Sequence, residues 1–107
     1  MRANVKLLSP WIEPHSPDGL ELELQREVAP EHALHGKSAA ALAVARDRDD
    51  VLFAVTEADS LRYAIVHLTW SGKTEPCPWP ATTFFESLEQ WIEWMKADHA
   101  DYTCGDE

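Results

Sequence analysis

The segment "LRYAIVHLTW", residues 61–70, constrains this chain more than any other stretch. Ala64, Val66, Leu68 and Trp70 alternate with Tyr63, Ile65, His67 and Thr69, and a period of two puts the two sets on opposite faces of a strand. Polar turn sequences flank it, "EADS" before and "SGK" after. "VLFAVT", residues 51–56, is a second strand, rich in β-branched and aromatic side chains. "SAAALAVAR", residues 38–46, lies between Gly36 and the turn-like "DRDD". Its alanines also suit a helix, which stays open as the alternative. Read as a strand, it offers a nearly all-alanine face (Ala39, Ala41, Ala43, Ala45) on which a helix packs closely. Three strands joined by short polar turns make an antiparallel meander.

Helices flank the strands. Ser16, Pro17 and Asp18 form a helix start, and Leu20, Leu24 and Val28 fall on one helical face, which predicts a helix over 17–28 that Pro30 stops. Leu20, Leu22 and Leu24 also alternate as in a strand, but the start signal and the Glu, Gln and Arg content decide for helix. In "SLEQWIEWMKADHADY", Ser87 and Gln90 have capping-box spacing, and Leu88, Trp91, Ile92 and Met95 form a core-facing stripe. A helix over 87–98 follows, with Trp94 to the side of the stripe. The fold class is therefore α+β: an N-terminal helix, a three- to four-stranded antiparallel meander, and a C-terminal helix packed on the sheet, with both helices expected on one face. Residues 1–107 read as a single domain. Residues 1–15 form an irregular arm, or a short strand over 4–8, and 100–107 a mobile tail.

"TEPCPWP" joins the strongest strand to the last helix, and prolines 76, 78 and 80 remove donors that a central strand needs. The segment is expected to run as an edge or extended connection. Trp79 is expected to close an open end of the core, its rival role being a rigid aromatic knuckle for a partner.

Charge narrows the function. Nine Lys and Arg against 19 Asp and Glu leave a net charge of −10, which repels nucleic-acid phosphates and anionic lipid and draws in a basic protein. No stretch approaches the apolar run of a membrane span, and residues 1–10 lack that of a signal peptide. Cys77 and Cys104 are too few for a disulfide framework and are read as reduced thiols of a cytoplasmic protein.

Candidate chemistry is sparse. His32 and His35 have H-x-x-H spacing, and Cys77 could join them in a metal or ligand sensor, but a loop position argues against a preformed site. They are read as loop hydrogen-bonding residues, with no metal and no cofactor. His67 could act as a general base with Asp49, Asp50 or Glu75, yet no nucleophile motif accompanies it. Phosphate-cradling glycine loops are missing as well. The chain is read as a binding protein rather than an enzyme, and a small enzyme using His67 is the alternative.

The motifs "EHALHG", "DRDDVLF", "YAIVHLTW" and "SLEQWIEWM" together resemble a group of small bacterial proteins of unassigned role. The resemblance spans roughly residues 18–100, with "VHLTW" its most specific part, and implies no catalytic residue. In size, acidity and lack of an active-site motif the chain is also similar in kind to immunity proteins that neutralise bacterial toxins. The expected function is accordingly recognition of a basic protein, such as a toxin, by occlusion. Asp47, Asp49, Asp50, Glu86, Glu89 and Glu93 would pair with its Lys and Arg residues, while Trp94, or less favourably Trp79, anchors it.

Overall fold

In the computed structural model the described residues are 6–58, 60–76 and 79–104. Seven elements follow in order: β1 (Trp11–Ile12), α1 (Pro17–Glu27), β2 (Ser38–Ala45), β3 (Asp50–Glu57), β4 (Ser60–His67), β5 (Ala81–Phe85) and α2 (Leu88–Cys104). The five strands form one antiparallel sheet in sequence order. The α+β meander expected from the sequence is present, and the alanine-rich segment is a strand. Two edge strands complete it. β5 is the extended connection after the proline run, and β1 pairs Trp11 with Ala45 and Ile12 with Val44. The short strand expected over 4–8 is not found: residues 6–8 are outside any strand, and 4–5 lie outside the described residues.

The helices cover opposite faces of the sheet, not one. Leu24 of α1 and Val28, the residue after it, pack with Ala41, Val51, Phe53, Val55, Ala64 and Val66. Trp91 and Met95 of α2 pack with Trp11, Ala43, Ala45, Leu52, Ile65 and Phe85. Alternation along β3 and β4 supplies apolar residues to both faces, so each face needs a cover. In β2 the register shifts between Ala41 and Ala43. This bulge reverses the alternation, so the four alanines do not share a face. Ala39 and Ala41 lie with the α1 cluster, Ala43 and Ala45 with the α2 cluster.

β4 ends at His67, three residues short of the expected strand end. Leu68 stays in the core, but Thr69 and Trp70 turn away, and Trp70 sits at φ +58°. Two glutamates of α1 account for the turn. The backbone N–H groups of Thr69 and Trp70 donate to the fully buried Glu27 carboxyl at 3.0 and 2.8 Å, and Gly72 N–H donates to Glu23 at 3.0 Å. Glu23 and Glu27 stand one helical turn apart and also hydrogen-bond each other. Burial, then the contact with Glu23, raises the Glu27 carboxyl above its ordinary value. The hydrogen bond from Glu27 lowers Glu23.

The helix ends only partly follow the expected capping. Gln90 N–H donates to Ser87 Oγ at 3.2 Å, while the Gln90 side chain accepts from Glu86 N–H rather than from Ser87. Pro17 opens α1, but the Ser16 side chain caps nothing. α2 runs on to Cys104, so residues 100–104 of the expected tail are helical, and 105–107 lie outside the described residues. Residues 9 and 11 of the expected arm are held against the rest of the fold. Trp11 is core, and His99 Nδ1 donates to Ser9 O at 2.7 Å. Among the described residues no helix is long and apolar enough to cross a membrane.

Candidate functional site

The register of β3 on β4 sets Asp50 directly opposite His67. Their side chains meet at 2.8 Å, His67 Nδ1 to Asp50 Oδ1. A carboxylate only accepts, so Nδ1 carries a proton, and in the neutral ring Nε2 keeps an acceptor lone pair. Asp50 Oδ2 accepts from Arg48 Nε at 2.7 Å. Arg48 reaches on to Asp47 at 3.0 Å and to Asp98 of α2 at 2.8 Å, and Asp98 also accepts the Trp11 indole N–H at 2.9 Å. The guanidinium lies 5.5 Å from the Trp11 ring centroid. One arginine thus ties the β2–β3 turn to α2 across the N-terminal strand. Such charge-assisted bonds fix the carboxylate orientation, and through it the imidazole.

This network borders a hollow of about 180 Å³ lined by Asp50, Ile65, His67, Ala81, Thr83 and Trp94. Trp94 is a fixed wall: it meets Trp11 and Phe85 edge-to-face at centroid distances of 5.9 and 6.0 Å. His67 is half exposed at its mouth. The hollow therefore combines an aromatic wall, a hydroxyl, an imidazole acceptor and a carboxylate.

The residues expected to bind are divided by the fold. Asp50 and Trp94 meet at the hollow, Asp47 joins through Arg48, and Asp49 is exposed in the same turn. Trp79 lies two residues before Ala81, which pairs with His67, so it belongs to the same end of the sheet. At 47% exposure it does not close the core. The corner is sealed instead by buried Pro80, whose carbonyl meets His32 Nε2 at 3.0 Å. Glu86 stands at the other end: Phe85 pairs with Tyr63, four residues from His67 along β4, or roughly 13 Å. It pairs there with Arg62 at 3.4 Å. Glu89 and Glu93 are exposed along α2, and Glu93 pairs with Lys96. Trp94 is half-buried, its ring packed against Trp11 and Phe85.

His32 is a loop hydrogen-bonding residue, as expected. Its Nδ1 accepts Leu34 N–H at 3.0 Å, which leaves Nε2 to donate to Pro80 O. Both nitrogens are engaged, so His32 is not available as a metal ligand. His35 is exposed, and Cys77 lies outside the described residues. Among the described residues no three His, Cys, Asp or Glu side chains converge on a metal position.

Sequence reasoning missed Arg48, Asp98, Trp11 and Thr83. The alternating "RDRDD" placed a cation among the acids of the turn, but the 50 residues between Arg48 and Asp98 are spanned only in the fold. In the sequence Glu23 and Glu27 counted only as helix-forming residues of the 17–28 segment. Comparison of the chain with protein-family models, with curated proteins and with solved structures found no match.

Proposed function

We propose that this chain is a cytoplasmic acidic protein-binding domain, in the manner of an immunity protein, that receives a Lys or Arg side chain of a basic partner in the His67–Trp94 hollow. The observation that carries this reading is the make-up of the hollow. An aromatic wall attracts a cation, while Thr83 Oγ and His67 Nε2 can accept its N–H groups. Asp50 adds negative charge, although His67 and Arg48 already share it. Around the site the −10 net charge steers basic partners inward, with Asp49, Glu89 and Glu93 as rim groups. Trp79 is the exposed aromatic that a partner could cover.

The test uses N-acetyl-arginine and N-acetyl-lysine methylamides as probes, with the glutamine analogue as control. The expected result is saturable NMR shifts at His67, Thr83 and the Trp94 indole that weaken with added salt. Equal shifts from the glutamine analogue, or indifference to salt and to Thr83→Val, would overturn the reading.

The His67–Asp50 pair favours one second reading, a small enzyme in which an oriented imidazole acts as base. Hydrolysis of p-nitrophenyl acetate decides it. A wild-type rate no greater than that of His67→Asn, or of free imidazole at equal concentration, removes this reading.

A further inference from the structure

A second hollow lies on the opposite side of the sheet from His67, between α1, β2 and the loop after β4. It measures about 340 Å³ and is lined by Pro14, Leu20, Val44 and Trp70, together with His15, Ser16 and Gly19. We propose that it binds a small, neutral, flat aromatic molecule of one to two fused rings.

Three independent observations converge on this ligand. Size comes first: a dry apolar cavity of about 150 Å³ is enough for benzene, so this volume accommodates a bicyclic ring system. The second observation is the placement of Trp70. Its side chain is 51% exposed beside the hollow on a left-handed backbone at φ +58°, a conformation unfavourable for any residue with a Cβ. The Glu23–Glu27 clamp holds it there through the N–H groups of Thr69, Trp70 and Gly72. A large ring kept out of the core on a strained backbone, over an apolar hollow, is what a stacking wall requires. The third is polarity. Of the lining residues His15 alone can ionise, no carboxylate, lysine or arginine stands beside it, and the acidic chain disfavours an anion. Ser16 is the residue before α1 yet its hydroxyl makes no capping bond, so it can bond one hydroxyl or N–H on the ligand.

The experiment titrates full-length protein with 2-naphthol, following the Trp70 indole and the Leu20 and Val44 methyls by NMR. Saturable shifts confined to those groups are expected, with 2-naphthoate and decahydro-2-naphthol binding at least about tenfold more weakly. Trp70→Ala should weaken 2-naphthol about tenfold while the melting transition stays cooperative. As a second variant Ser16→Ala, remote from the core, should weaken 2-naphthol by a few-fold. Shifts that spread without saturation, or a Trp70→Ala titration matching wild type, would overturn the proposal. So would decahydro-2-naphthol binding as tightly, which indicates mere greasiness. A Trp70 resonance that moves on dilution without ligand would assign the hollow to a second copy of the chain and overturn it too.

Discussion

His67 Nδ1 and Asp50 Oδ1 stand 2.8 Å apart because the β3–β4 register makes them a directly opposed pair. Arg48 takes the other Asp50 oxygen and continues to Asp98. The same contacts orient an imidazole at a hollow and bolt the β2–β3 turn to α2. Site and stability are coupled at one carboxylate.

Asp50→Ala should therefore cost about 1–3 kcal/mol, since it strips a charge-assisted bond from Arg48 and from His67 at a partly buried position. Neutralising exposed Glu93, whose partner among the described residues is Lys96, should change stability by under about 0.5 kcal/mol. Urea unfolding of the two variants measures the difference. Equal midpoints would show that the Arg48 network contributes no more than a surface pair.

Glu27 gives a pH signature. Its folded carboxyl value is raised above 4.5 by burial and then by Glu23, so its stabilising contribution is full below 4.5 and is lost as pH rises through the folded value. Glu23 is lowered below 4.5, so its contribution is present above 4.5 and is lost as pH falls through its folded value. Glu27→Gln keeps the neutral shape at every pH. The Tm of Glu27→Gln relative to wild type should rise as pH is taken from 4.5 to neutrality. A pH-independent difference would mean that the pair does not share a proton.

At Trp70 the usual order of glycine and alanine should reverse. Outside turns glycine is the less stable by about 0.5–1 kcal/mol, but at φ +58° alanine carries a steric penalty that glycine lacks. Trp70→Gly should thus be more stable than Trp70→Ala by about 1 kcal/mol. Thermal melts of the two variants decide it.

The β2 bulge makes neighbouring alanines unequal. Ala43 is fully buried in the cluster of Trp11 and Trp91, so Ala43→Leu should cost about 1–3 kcal/mol through overpacking. Exposed Ala40→Leu should stay within about 0.5 kcal/mol. Similar losses at both positions would place the register shift elsewhere.

Elements whose signals are local were legible in the chain. Alternation over 61–67 makes β4, the Leu88–Trp91–Ile92–Met95 stripe makes the buried face of α2, and Pro17 with Pro30 brackets α1. Those signals need only a period or a cap, and both lie within a few residues. Tertiary structure decided which side each face took. A bulge of one residue reversed β2, and the apolar residues on both faces of β3 and β4 required the helices to lie on opposite sides. It also decided the site, since Asp50 meets His67 through strand pairing and Asp98 meets Arg48 across 50 residues. Least visible of all was the fate of Glu23 and Glu27. Acidic helix residues normally face water, and only a loop offering three backbone N–H groups makes their burial affordable.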